Sequence, residues 1–294
     1  MPATAPAARG STARRRAPQP DMTLYRGEIA VLATRHGKER VVAPAFAAAT
    51  GLAVTVPPDL DTDSLGTFTG EVPRPASLRE TLRMKARFGM AASGCTIGIA
   101  SEGSFGPHPL FPFLAAGHEA MVFIDDGRGI EVMEEAVSDR TNFAALDVTP
   151  DADVRGFLDR IGFPDHALVL RRGEEIIKGI FDRAELDRLL KNCNGSTRLE
   201  TDMRAHLNPT RMSEIGRLAE RLARRIATPC PACRAPGFGR LRAEPGLRCE
   251  DCGTPTQLTR ALVLGCARCG HAQHQPRPDG RATATPAECP ECNP

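Results

Sequence analysis

The chain of 294 residues carries 38 basic and 36 acidic side chains, no Trp, one Tyr and twelve Phe. Balanced charge gives no global field that would draw the molecule to nucleic acid or to a membrane surface. So few rings offer no platform for stacking single-stranded bases, and no apolar run is long enough to read as a membrane span.

Residues 1–22 form a segment of small residues, Pro and Arg, with Arg14-Arg15-Arg16 and, up to Pro20, no acidic side chain. Disorder is expected there, because the composition cannot bury apolar area against chain entropy. Met22 is an alternative start.

Residues 23–200 read as an α/β domain, a mixed sheet with flanking helices. Ile29-Ala-Val-Leu-Ala33 is a short buried strand, and a helix runs from about Lys38 to Thr50, where Gly51 stops it. A second strand at 52–56 leads to a loop rich in acids and hydroxyls that contains Asp61 and Asp63. Ser77 and Glu80 form a capping box for the next helix, with Leu78, Leu82 and Phe88 expected on its core face and Lys85 off it. The strand from Thr96 is expected to break at Ser101-Glu102-Gly103-Ser104, delivering a carboxylate to a crevice. Hairpins follow at 120–137 and 166–180, with helices at 151–161 and 184–191.

Residues 201–228 hold a polar motif and a linking amphipathic helix. Asp202, Arg204, His206, Asn208 and Arg211 crowd the mouth of that helix, more polar groups than one cap requires. Ile215, Leu218, Ala219, Leu222 and Ile226 form its apolar face.

Residues 229–294 contain eight of the ten cysteines, in four pairs: Cys230/Cys233, Cys249/Cys252, Cys266/Cys269 and Cys289/Cys292. Each Cys-x-x-Cys turn points two sulfurs inward, and two turns close one tetrahedral zinc site. Two structural Zn2+ are therefore expected in a reducing compartment, the cytoplasm, in place of disulfides. Loops of 15 residues (234–248) and 19 residues (270–288) favour sequential pairing into a double zinc ribbon, with nested pairing as the alternative. Eight Arg stand against six Asp and Glu in this tail, a difference of +2. Two tetrathiolate zinc centres at −2 each bring it to −2, which argues for protein docking or bracing and against nucleic acid.

From residue 29 onward the chain resembles an uncharacterised bacterial domain family. The resemblance rests on His36-Gly-Lys38, Asp61-Thr-Asp63, Gly66-Thr-Phe68, residues 100–109, residues 202–211 and the four cysteine pairs. Residues 29–106 are also similar in order to the pyrophosphatases that remove inosine and xanthosine triphosphates. Ala33-Thr-Arg-His-Gly-Lys38 stands at their phosphate loop, Thr67-Phe68 and Lys85-Ala86 at their helix motif, and Ala100-Ser-Glu102-Gly at their acidic strand end. Glu102 replaces their two consecutive aspartates. The resemblance implies a metal-dependent nucleoside-triphosphate pyrophosphohydrolase, with Glu102, Lys38, Asp61 and Asp63 catalytic and Mg2+ or Mn2+ as a second metal. Thr34, His36, Ser101, Ser104, His108, Arg204, His206 and Arg211 would hold a nucleotide or another phosphorylated ligand. The alternative is a non-catalytic adaptor whose zinc ribbons dock a protein partner.

Overall fold

The computed structural model describes residues 20–58, 60, 76–191 and 196–294. The acidic loop with Asp61 and Asp63, the Thr67-Phe68 pair, Cys193 and the first 19 residues lie outside these.

A mixed five-stranded sheet, in the order β2-β1-β3-β4-β5, organises the first half of the chain. Its strands are β1 (Ile29–Ala33), β2 (Ala53–Thr55), β3 (Ile97–Pro107), β4 (Ala115–Asp125) and β5 (Ile130–Ser138). β1 runs parallel to both β2 and β3, whereas β3, β4 and β5 form an antiparallel meander. Alternation along the strands divides the core in two. Leu32, Ile97, Ile99, Met121 and Phe123 face α1 (Glu39–Thr50) and, near the chain's later part, α5 (Pro209–Ile226). Val31, Ala100, Val122 and Ile124 face α2 (Leu78–Ser93) on the other side. The connection through α1 carries the chain from β1 to β2, and that through α2 carries it from β2 back across β1 to β3, so the carboxyl ends of β1 and β3 bracket the point where strand order reverses.

The helix signals of the sequence appear as local geometry. Gly51 closes α1 with φ of 75°, and the Ser77/Glu80 capping box opens α2. On α2, however, the buried stripe is Thr81, Leu82, Lys85, Ala86, Gly89 and Met90, while Phe88 is 41% exposed. The expected facing of Phe88 and Lys85 is therefore reversed. Six positions beyond Leu82 a helix has turned well off the starting face, whereas steps of three and four return to it.

β3 also departs from expectation. It does not end at Ser101-Glu102-Gly103 but pairs with β4 without interruption from Ile97↔Asp125 to Pro107↔Ala115. Gly103 makes room instead of a turn: a Cβ there would lie 2.4 Å from Glu119 Oε1 and 2.6 Å from an Arg211 nitrogen. The β3–β4 hairpin ends in a turn where Leu110 (77%), Phe111, Phe113 (82%) and Leu114 are exposed.

Residues 144–201 add a second, four-stranded antiparallel sheet, β6-β9-β7-β8. It comprises β6 (Ala145–Asp147), β7 (Leu168–Arg172), β8 (Glu175–Ile180) and β9 (Thr197–Thr201). α3 (Val154–Ile161) and α4 (Arg183–Lys191) pack on it around Phe157, Leu158, Leu170 and Leu186. α5 is buried on one face against α1, β4 and β5, with its expected apolar positions Ile215, Leu218, Ala219, Leu222 and Ile226 all in the core. No described helix is long and apolar enough to cross a membrane.

Gly103→Ala is expected to destabilise the fold by at least about 3 kcal/mol, since the new methyl must displace a buried ion pair. Gly106→Ala, where a Cβ meets nothing within 4 Å, should be near neutral. Denaturant unfolding of both variants checks this; equal effects would show that Gly103 has no steric role.

Candidate functional site

Two sites emerge, a polar crevice on the five-stranded sheet and a pair of cysteine clusters in the tail. The crevice is built where β1 ends. The backbone leaves β1 through Thr34, whose hydroxyl accepts a hydrogen bond from the His36 N–H at 3.2 Å. It then turns at Gly37 (φ 67°) and enters α1. Lys38, at the N-terminus of α1, points back under this loop and donates to the Ser101 carbonyl at 2.8 Å and hydroxyl at 3.0 Å. Burial, and then the Arg211 charge, lower the Lys38 ammonium to about 8, although Glu102 and Glu119 oppose the shift. Outside the loop, Thr34, Arg35, Gly37 and Glu39 line a groove with Val56 and Pro57.

Two further cations flank the end of β1, one on each face of the sheet and each held by a carboxylate. Lys85 of α2 contacts Glu102 at 2.5 Å, with side chains only 7% and 13% exposed. Arg211 of α5 donates to Glu119 of β4 at 2.7 Å, both 5% exposed, and also to the Met203 carbonyl. Asn208 caps α5 by accepting from the Arg211 N–H. The rest of the polar motif joins the two sheets: Asp202 binds Arg204 at 2.6 Å and the Gly179 N–H at 3.2 Å, and Asn208 donates to Asn142 at 2.9 Å. His206 stacks on His36 with ring centroids 5.0 Å apart. Burial first, then the charges of Lys38, His206, Arg211 and Arg204, lower His36 to about 3.

Of the residues singled out from the sequence, Thr34, His36, Lys38, Ser101, Glu102, Arg204, His206 and Arg211 gather around the end of β1. Ser104 lies opposite His118 on the α2 face of the β3–β4 pair. His108 stands apart at the hairpin turn, where its Nδ1 accepts from the Leu110 and Phe111 N–H groups. Glu119 was not singled out, and Lys85 entered only through the helix motif of the resemblance, with no role at the site. The signal for Glu119 was an acid inside an otherwise apolar strand, and that for Lys85 was its place on the core stripe of α2. Glu102 and Glu119 are both committed to cations. Among the described residues the only groups of three or more metal-capable side chains are cysteines.

The tail is a three-stranded antiparallel sheet of β10 (Gly239–Pro245), β11 (Thr259–Gly265) and β12 (Ala272–Pro276). Cys230, Cys233, Cys266 and Cys269 cluster at one end, and Cys249, Cys252, Cys289 and Cys292 at the other. The pairs interleave, first with third and second with fourth, which corrects both the sequential expectation and its nested alternative. One strand separates each cysteine pair from the next, so successive pairs alternate between sheet ends roughly 20 Å apart. Sulfur separations across the pairs are 3.8 and 3.7 Å in one cluster and 3.9 and 3.5 Å in the other. Four sulfurs about 2.3 Å from a tetrahedral zinc ion lie about 3.8 Å apart, so both clusters fit the ion. Gly253 and Gly270 take φ of 74° and 70° after their pairs, and Arg234 adopts 64° at the same place. Hydrogen bonds from the Thr254 side chain and backbone lower the Cys252 thiol to about 6, while its contact with Cys252 pushes Cys292 to about 12. A ready thiolate at Cys252 beside a reluctant thiol at Cys292 is an imbalance that a divalent cation relieves. Phe238 and Ala235 seat the first cluster beside Cys230 and Cys266.

Purified protein is expected to hold two zinc equivalents. Cys230→Ser/Cys266→Ser should retain one and Cys230→Ser/Cys249→Ser neither. Metal analysis giving the opposite pattern would restore sequential pairing. For the crevice, the lowered His36 means that the unfolded chain, at the ordinary imidazole value of 6.5, takes a proton the folded protein refuses. Its contribution is present above 6.5 and lost as pH falls toward 3, with a slope of up to about 1.4 kcal/mol per pH unit. His36→Asn should flatten the fall in stability between about pH 7 and about pH 5, above the carboxylate range; an unchanged slope would place the acid sensitivity elsewhere.

No curated protein matches the chain. A family model described as "Domain of unknown function (DUF6671)" matches residues 85–294. The span opens at Lys85 and takes in Glu102, Glu119, the 202–211 motif and both cysteine clusters. The match covers more than half of the sequence, and the chain belongs to that family.

Proposed function

We propose that the protein binds a phosphorylated small molecule, of the nucleoside-triphosphate class, at the carboxyl end of β1, and that its tail carries two structural zinc ions. The observation that carries the reading is the loop of residues 34–38. It presents a groove beside the N-terminus of α1, with Lys38 buried beneath it and Lys85, Arg211 and Arg204 nearby. Helix N-termini favour anions through unsatisfied N–H groups and the helix dipole. This end of the sheet is also where strand order reverses, the usual place for ligands in open α/β sheets. Binding of this kind needs no divalent ion from the protein.

Hydrolysis of the bound phosphate chain is the finer form of the reading, and it follows the resemblance to triphosphate pyrophosphatases. In that form Lys38 orients the phosphates, and Glu102, fixed by Lys85, accepts a proton at the reacting end. A second reading, the non-catalytic adaptor, is favoured by the exposed apolar turn of residues 110–114 and not by any feature of the zinc module.

Calorimetry with a panel of nucleoside triphosphates and inorganic triphosphate tests binding, and pyrophosphate release with and without Mg2+ or Mn2+ tests hydrolysis. Lys38→Met should weaken binding at least about tenfold, the effect of losing one charge-assisted contact. Glu102→Gln should lower hydrolysis about 10²-fold. It also strips Lys85 of its buried partner, at a stability cost of about 3–5 kcal/mol. Lys85→Met/Glu102→Gln, expected to recover that stability, separates folding from chemistry. Wild-type protein that binds none of these anions would remove the reading. Binding without turnover would leave a receptor and remove the hydrolase.

A further inference from the structure

A second charged feature lies outside the crevice, at the joint between the core and the tail. One wall of a groove there is the last two turns of α5, with Arg221, Arg224 and Arg225, and Arg79 of α2 beside it. The other wall is β10, the edge strand of the tail sheet, with Arg240 and Arg242. Glu134 and Glu135 of β5 lie among these six arginines, and Glu220 and Glu244 stand at the rim, which leaves a local excess of two positive charges.

The arginines fall into two sets. Arg225 is 10% exposed and structural, binding Glu134 at 2.7 Å and the Gly237 carbonyl at 3.2 Å, which locks the tail onto β5. Arg221 shares Glu134, and Arg79 takes Glu135. These pairs engage both glutamates with cations. Arg224 is 64% exposed with a long contact to Glu220 at 3.5 Å, and Arg242 is 61% exposed with Glu244 at 3.8 Å. Arg240 is exposed, and its side chain makes no hydrogen bond or ion pair among the described residues. Three guanidinium groups on facing walls are thus open to a ligand. The near-zero charge of the whole chain conceals this, because the six residues come from three separated stretches.

We propose that this groove binds the phosphodiester backbone of a nucleic acid. Guanidinium forks match phosphate oxygens, and backbone binding requires cations and little else. The one ring at the groove, Phe238, is buried, so no base can stack and the binding is independent of sequence. Peptide recognition relies on apolar side-chain pockets or added strands, and a lining dominated by arginine fits it poorly. The β10 wall is held by the first cysteine cluster, next to Gly239, so the groove needs the metal-bound tail.

The test is fluorescence anisotropy of zinc-loaded protein with labelled mixed-sequence oligonucleotides, in four arms: single- and double-stranded, RNA and DNA. Binding should weaken with salt along a log–log slope of about −3 for three or four neutralised phosphates. Arg240→Glu/Arg242→Glu should reduce affinity at least about tenfold while two zinc equivalents and the melting temperature are kept. Arg155→Glu, on α3 against the second sheet, should bind as wild type. Absence of binding in all four arms at low salt, or a double variant equal to wild type, overturns the proposal. So does a poly-glutamate peptide of matched charge that binds as tightly as the oligonucleotides, because the groove would then serve acidic protein.

Discussion

The buried ion pair between Arg211 and Glu119 is the constraint on which the crevice depends. Taking two charges out of water costs several kcal/mol each, and only good geometry with further hydrogen bonds offsets this. Here the guanidinium meets the carboxylate at 2.7 Å, reaches the Met203 carbonyl, and lies 5.1 Å from the centre of the Phe105 ring. The pair pins the start of α5 to the middle of β4 and thereby fixes the path of residues 202–211. Gly103 is the space it occupies, and the unbroken course of β3 follows from that. With the segment fixed, His206 can lie against His36, and Arg204 can bridge to Asp202 under the second sheet.

The same economy of charge governs the rest of the crevice. Lys38, Lys85, Arg204 and Arg211 stand against Glu102, Glu119 and Asp202, leaving one positive charge in excess among groups that are mostly buried. A site so nearly neutral is stable when empty, because each cation already has an oxygen partner. An anion arriving at the loop of residues 34–38 meets donors that are held in place and need little reorganisation, the usual advantage of a preorganised polar site.

Features set by local chemistry were readable from the sequence. Gly51, the Ser77/Glu80 box, the turn through residues 125–129 and the apolar face of α5 each depend on neighbours within a few positions. Features set by distant partners were not. A glycine after a polar residue signals a turn, yet Gly103 serves a side-chain pair contributed by β4 and α5. Lys85 looked like a surface lysine because its carboxylate is 17 residues away. β9, a central strand, reads Thr-Arg-Leu-Glu-Thr, with one apolar residue to mark it. Loop length was a poor guide to cysteine pairing, since closure entropy grows only slowly with length. The alternating direction of three short strands decided the partners instead.

The family match begins at Lys85, inside α2, and so leaves out β1, α1 and β2. That boundary cannot be a folding boundary. A chain beginning there would turn β3 into a sheet edge, with unpaired N–H and C=O groups along the stretch that β1 now covers. It would also bare the flank of α5 that rests on α1. An apolar edge strand beside an uncovered helix face is a template for self-association. The span that the family model matches therefore depends on the β-α-β segment ahead of it to close its sheet edge and to cover the flank of α5.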